Sequence, residues 1–224
     1  LAEPLLSIEQ VTCERDERPL FSDLSLSVRA GDRWQILGPN GSGKTTLLRT
    51  LAGISQPSRG RLLWRGQPTT RVEWDYRQSM LYLGHSPGIK AGLSPLENLR
   101  WYQALSGGNQ TGDIVRALAQ VGLQGYEQLP AYQLSAGQLR RVALARLYLS
   151  QALLWILDEP FTAIDKAGVA TLEQRLDEHS RMGGALIFTS HQEVQLPGLQ
   201  SLDLRDFPAR NPSLEQELGY APLS

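Results

Sequence analysis

Trp34-Gln35-Ile36-Leu37-Gly38-Pro39-Asn40-Gly41-Ser42-Gly43-Lys44-Thr45-Thr46-Leu47-Leu48 runs from a short apolar strand through a glycine-rich turn into an apolar helix. Gly38 to Thr45 satisfies G-x-x-x-x-G-K-[ST], in the strand-turn-helix context that its chemistry needs. The glycines let successive backbone N–H groups of the loop, which also holds Pro39, Asn40, Ser42 and Thr46, converge on an anion. The first turn of the following helix adds the positive end of its dipole. Lys44 is then placed to reach the β- and γ-phosphates of a nucleoside triphosphate, and Thr45 to offer its hydroxyl to Mg2+. The loop alone does not choose among kinases, GTPases and ATPases.

Leu153-Leu154-Trp155-Ile156-Leu157-Asp158-Glu159 is an apolar run that ends in two carboxylates. Near-continuous hydrophobicity suits a strand covered on both faces of a parallel sheet. Ligands of open α/β sheets bind beyond the carboxyl ends of such strands. Asp158 is therefore expected to hold the Mg2+ shell, directly or through water, and Glu159 to orient or deprotonate an attacking water.

Apolar runs at 5–11, 24–28, 34–37, 61–64, 80–84, 153–158, 185–189 and 201–204 are predicted strands, with helical patterns between the later ones. The order predicts an α/β fold with a mostly parallel sheet and an antiparallel start. From Ser86 to about Leu149 the period is helical. Ser94-Pro95-Leu96-Glu97 sets an N-cap, a first-turn proline and a reciprocal capping glutamate in order, with Leu96, Leu99 and Tyr102 on one stripe. Thr111 or Asp113 opens a second helix with Ile114, Leu118 and Val121 inward, stopped by Gly122, and a third begins near Ser135. One domain is expected over 1–206, with the helical insert at about 86–149. The tail at 207–224 is polar, with a short helix expected from Asn211-Pro212 to Gly219 and no function assigned.

With 224 residues, 41% hydrophobic and 20% charged, the chain is long enough to bury a sizeable core. A net charge of -1 and a pI near 6.4 supply no positive field for nucleic acid or an anionic membrane, so no nucleic-acid partner is expected. The longest apolar run, Ala152 to Leu157, is far short of the roughly 18 residues that span a bilayer. Membrane attachment is expected only through another protein. Cys13 is the single cysteine, which suits a reducing compartment, and LAEPLLSIEQ has no signal-peptide pattern. The histidines and Cys13 lack metal-ligand spacing, which argues against a zinc site or a local haem motif.

Leu134-Ser135-Ala136-Gly137-Gln138, followed by Leu139-Arg140-Arg141-Val142-Ala143-Leu144-Ala145-Arg146, puts a serine and a glycine at the start of a long helix. That is a second anion site, physically like the first. A helix cap explains Ser135, but not LSAGQ lying between the two phosphate motifs. With these motifs in order the chain resembles the ABC ATPase family over about residues 5–206. The resemblance implies a P-loop NTPase core with a mostly parallel sheet, an antiparallel N-terminal β subdomain and a helical insert. It also implies ATP and Mg2+ as ligands, and Lys44, Glu159 and His191 as catalytic residues. In that family the signature, here Ser135, Gly137 and Gln138, meets the ATP held by a second copy's P-loop, so two ATP molecules are sandwiched in a head-to-tail dimer. Asp165, in Thr162-Ala163-Ile164-Asp165, matches the D-loop that couples the two sites. His191, after the strand at 185–189, matches the switch histidine at the γ-phosphate.

Two positions depart from the family pattern. The adenine-stacking aromatic is replaced within Cys13-Glu14-Arg15-Asp16, where Arg15 either stacks on the base through its guanidinium plane or stays solvated. His85, in Leu81-Tyr82-Leu83-Gly84-His85, stands where the family has a glutamine at the metal and attacking water; it either contacts the metal water or packs. YLGHSPGIK, SPLENLRWY and LLWILDEPFTAIDK resemble the haem exporter ATPase subunits of bacterial cytochrome c maturation. That implies integral membrane subunits as partners, a periplasmic haem chaperone acted on indirectly, and a place on the cytoplasmic side of the inner membrane. A transporter ATPase for another cargo and a soluble family member acting on nucleic acid or ribosomes are the alternatives.

Overall fold

The computed structural model describes residues 3–16, 18–106 and 112–209. Thr111 and the helix expected after Asn211 lie outside the described residues. The chain begins with β1 (Leu6–Arg15), β2 (Arg18–Val28) and β3 (Arg33–Leu37), then α1 (Lys44–Leu51). Next come β4 (Arg59–Trp64), β5 (Gln67–Pro68), α2 (Glu73–Gln78) and β6 (Met80–Leu83). Three helices follow, α3 (Pro95–Leu105), α4 (Ile114–Gln120) and α5 (Ala136–Leu149). The chain then runs through β7 (Leu154–Leu157), α6 (Lys166–Arg181), β8 (Ala185–Thr189) and β9 (Gln200–Asp203).

The strands form two sheets, as the expected antiparallel start and parallel core require. An antiparallel sheet has the order β2-β1-β4-β5, and a wholly parallel one the order β6-β7-β8-β3-β9. Every residue of β7 and β8 is buried, as expected for strands covered on both faces. Alternation along β7 sends Leu154 and Ile156 to one side, against Leu47, Leu48 and Leu51 of α1 and the antiparallel sheet. Trp155 and Leu157 go to the other side, against Leu144 and Leu147 of α5 and Leu172 and Leu176 of α6.

Helices α3, α4 and α5 share a core around Leu96, Leu99, Leu118, Leu123, Val142 and Leu149. The capping box at Ser94 and Glu97 is present, with Glu97 N donating to Ser94 Oγ at 3.2 Å and Ser94 N to Glu97 Oε2 at 2.8 Å. Of the predicted stripe, Leu96 and Leu99 are buried, whereas Tyr102 is half-buried, its hydroxyl donating to the Gly88 carbonyl at 2.6 Å. Asp113 is the N-cap of α4, and Gly122 follows that helix at φ 72°. Strands β6 and β7 stop one residue earlier than their apolar runs imply, so Gly84 and Asp158 begin loops. Neither β5 nor α2 is legible in the sequence. The first is two residues long and ends in proline, and the second buries only Tyr76, so it has no apolar period.

His179, near the end of α6, lies flat on Trp155, with ring centroids 3.7 Å apart and planes 5° from parallel. Burial, with the nearby Arg175 charge, pushes its imidazole pKa down from 6.5 to about 4. The folded state therefore keeps the ring neutral where the unfolded chain protonates it. The associated stability is complete above pH 6.5 and is lost as pH falls towards 4. Between pH 7 and pH 5 this one group should cost the folded state about 2 kcal/mol. Denaturant unfolding of His179→Leu at the two pH values should show a fall smaller by about that amount than the wild type shows.

Candidate nucleotide site

The glycine loop joins β3 to α1. Gly38, Gly41 and Gly43 have φ of 143°, 82° and 100°, values that side chains rarely tolerate. Space is also short: a Cβ on Gly38 would lie 2.6 Å from Ser42 Oγ, and one on Gly43 3.1 Å from Leu20 and Phe21. Gly43 caps α1 with no side-chain hydrogen bond, so the first-turn N–H groups of that helix receive no side-chain cap. Lys44 Nζ curls over the loop and donates to the carbonyls of Gly38 at 2.7 Å and Pro39 at 3.1 Å.

The acid pair starts where β7 ends. Asp158 is only 2% exposed, and both its oxygens are met. Thr45 Oγ1 donates to Oδ2 at 2.9 Å and Thr189 Oγ1 donates to Oδ1 at 2.8 Å. Register explains the second contact, because Leu157 is paired with Phe188 across β7 and β8, which brings the next residues side by side. Glu159 N in turn donates to Thr189 Oγ1 at 2.9 Å. Glu159 itself sits at φ 51°, an uncommon conformation for a residue with a side chain. Its Oε1 is buried without a hydrogen-bond partner among the described residues. His191 Nε2 lies 3.5 Å from that atom, and the His191 N–H donates to Oε2 at 3.3 Å. An unpaired carboxylate oxygen beside an imidazole can accept a proton from water.

A cavity of about 450 Å³ brings together Arg15, Asn40, Gly41, Gly43, Lys44, Thr45, Thr46, His85, Asp158, Glu159 and His191. Gly38, Pro39 and Ser42 form the loop behind it. The Arg15 side chain is 77% exposed and 3.7 Å from Asp16, so it reaches the cavity mouth from solvent. Among the described residues no group of three or more His, Cys, Asp and Glu forms a metal cage. The paired oxygens of Thr45 and Asp158 suit Mg2+, which takes one or two protein oxygens and completes its shell with water and phosphate. His85 offers nitrogen, which is a poorer match to that ion.

Ser135, Gly137, Gln138 and Asp165 are not among the residues lining this cavity. Ser135 and Gln138 close a capping box on α5, with Gln138 N donating to Ser135 Oγ at 3.2 Å and Ser135 N to Gln138 Oε1 at 2.9 Å. A Cβ on Gly137 would meet the Ala163 carbonyl at 2.8 Å, so the start of α5 lies against the loop that contains Asp165. Asp165 caps α6 by accepting from Gly168 N at 3.0 Å and pairs with Arg141 at 2.9 Å. Those contacts, the Gly168 N–H first, hold its carboxyl below the usual range.

Two residues of the site were not singled out in the sequence. Thr189 reads as the last residue of a strand, and only the strand pairing brings its hydroxyl to Asp158. Arg140 is 4% exposed, and its guanidinium donates to the carbonyls of Asp158 and Glu159. A signal for it existed, since an arginine among Val142, Ala143 and Leu144 at the head of an apolar helix is a charge on a buried face.

Residues 21–162 match the family model described as ABC transporter. The chain is 53% identical over 192 residues to the cytochrome c biogenesis ATP-binding export protein CcmA of Escherichia coli strain K12, covering 86% of this chain and 91% of that protein. It is equally similar to the protein of that name from Shigella boydii serotype 4. Among solved structures, an ABC transporter ATP-binding protein from Pyrococcus furiosus superposes with a TM-score of 0.77 at 26% identity, covering 90% of this chain and 98% of that one. The ATP-binding cassette MJ0796, in a dimeric post-hydrolysis state with ADP and Pi, shares the fold with a TM-score of 0.74 at 20% identity, over 84% of this chain and 88% of its own.

Replacing Thr189 by valine keeps the shape but leaves Asp158 Oδ1 and Glu159 N short of a partner. The variant should lose about 1–3 kcal/mol of stability, read from the denaturant midpoint.

Proposed function

Since the chain belongs to the ABC transporter family as an ATP-binding and ATP-hydrolysing subunit, we propose that it powers haem handling in cytochrome c maturation. The observation that carries this is its 53% identity, over nearly its whole length, to relatives named for cytochrome c biogenesis export. In this reading it acts from the cytoplasmic side of the bacterial inner membrane, and its work releases a haem-loaded periplasmic chaperone.

The mechanism starts at the loop. Backbone N–H groups of Asn40–Thr46 cradle the triphosphate, and Lys44 exchanges its carbonyl partners for the β- and γ-phosphates. Mg2+, held through Thr45 and Asp158, would neutralise phosphate charge. Glu159 Oε1 orients a water in line with the γ-phosphate and accepts its proton, while His191 faces both the phosphate and Glu159. His85, exposed at the cavity wall, would contact the metal's water shell, and Arg15, at its mouth, would stack on the base.

Further observations bear on an assembly. The exposed head of α5 holds Ser135, Gly137 and Gln138 outside the cavity, available to the nucleotide of a second copy, with Asp165 beside them. No helix among the described residues is long and apolar enough to cross a membrane. The exposed Trp74 and Leu105 line one surface hollow, which suits docking of integral membrane subunits. Because α5 packs in both cores, the chain reads as a single domain over 1–206 with an insert at about 86–149, of which Ser86 to about Pro130 carries motion to those subunits.

Glu159→Gln should cut ATP turnover by at least about 10²-fold while ATP binding persists. Undiminished turnover would remove Glu159 from the role. Lys44→Ala should weaken ATP binding itself, measured with a fluorescent ATP analogue; unchanged affinity would overturn the phosphate assignment. Co-purification with the membrane subunits and a haem absorption spectrum that changes on adding ATP are expected for the proposed cargo. A complex with no haem band, or one indifferent to ATP, points to a different cargo.

A further inference from the structure

Strands β6 and β7 are parallel neighbours whose last rung is the bond from Asp158 N to the Leu83 carbonyl, 2.8 Å long. Beyond it the chains become two loops, one carrying Gly84 and His85, the other Asp158 and Glu159. The backbone carbonyls of both are met by one side chain from a third element. Arg140 Nη1 donates to Gly84 O at 2.9 Å and to His85 O at 3.5 Å. Its Nη2 donates to Asp158 O at 2.8 Å and to Glu159 O at 2.7 Å.

This tie is chemically unusual. A guanidinium that is 4% exposed ordinarily meets a carboxylate, yet its hydrogen bonds here all go to main-chain oxygens, and Nε has no partner among the described residues. Burial lowers its affinity for the proton, while the charges of Asp158 and Glu159 act the other way. The planar fork matters, because two nitrogens on one rigid plane fix the spacing of two separate loops, which a flexible ammonium cannot do.

Arg140 is also the fifth residue of α5, barely more than one turn from the Ser135 cap. The capping box and two hydrophobic clusters make α5 a stiff rod. The guanidinium is therefore held close to the head of the helix.

We propose that Arg140 is a positioning residue for ATP hydrolysis: it ties the head of α5 to the backbone of both loops that present His85 and Glu159 to the nucleotide. Engagement of the Ser135–Gln138 segment then sets where Glu159 holds its water, without altering the phosphate cradle of Asn40–Thr46. The proposal rests on Glu159 acting on the attacking water.

The test uses the full chain in the assembly in which the wild type turns over ATP, with kcat, KM and the affinity for a fluorescent ATP analogue measured on each preparation. Arg140→Met keeps an unbranched stem that fills part of the same space and loses every donor. Its kcat should fall about 10- to 100-fold, the scale on which misplacing a catalytic group by about 1 Å acts, with KM and affinity within about threefold of the wild type. Arg140→Lys, which keeps charge and donors but not the fork, should fall between the two. Turnover of Arg140→Met within twofold of the wild type overturns the proposal, and so does ATP affinity lost in step with turnover in both variants. If Arg140→Met does not fold, Arg140→Lys decides alone: reduced kcat at unchanged affinity supports the tie, and wild-type kcat overturns it. Glu159→Gln, run alongside, separates the two levels. If it still turns over ATP, the role of Glu159 fails; if it is inactive while Arg140→Met is fully active, only the tie fails.

Discussion

A buried carboxylate is costly unless its oxygens are hydrogen-bonded, and Asp158 meets that demand with two threonine hydroxyls from different elements. Thr45 belongs to the first turn of α1 and Thr189 to the end of β8. The satisfaction of one side chain therefore fixes the phosphate loop, the acid loop and the strand that leads to His191 at common distances. Thr189 does a second job by accepting from Glu159 N, which helps hold that residue at its positive φ. Much of the site's geometry follows from keeping this one acid satisfied at 2% exposure.

The same local economy explains what could be read from the chain. Gly38 to Thr45 is legible because the motif is contiguous and each residue type has one mechanical task. The acid pair is legible because two carboxylates close an apolar strand in a chain that already carries the Lys44 loop. The caps at Ser94 and Ser135 are legible because their partners lie three residues away. Thr189 and Arg140 are different: their partners are 31 and 18 residues distant, and only strand register and helix packing bring them together. The strand order within each sheet is not legible for a related reason. Apolar runs mark strands, but pairing depends on contacts such as Leu6 with Trp64, 58 positions apart.

His85 and Arg15 show how composition and position part company. Both reach the cavity, yet Arg15 does so with a solvated side chain and His85 with a nitrogen donor where oxygen chemistry dominates. Their locations were readable from flanking motifs, whereas their contacts depend on side-chain exposure that no spacing rule encodes.

Helix α5 belongs to two hydrophobic cores at once. Val142, Ala145 and Leu149 pack in the insert, and Leu144 and Leu147 pack beneath the parallel sheet. Arg140 and Arg141 are engaged elsewhere, by main-chain carbonyls and by Asp165. A surface helix has one committed stripe and can drift along the other. Here almost the whole circumference is committed, so the helix has little neutral sequence space. Substitutions that suit one core are judged by the other, and an insert borrowed from a distant relative would bring the wrong half of a shared helix.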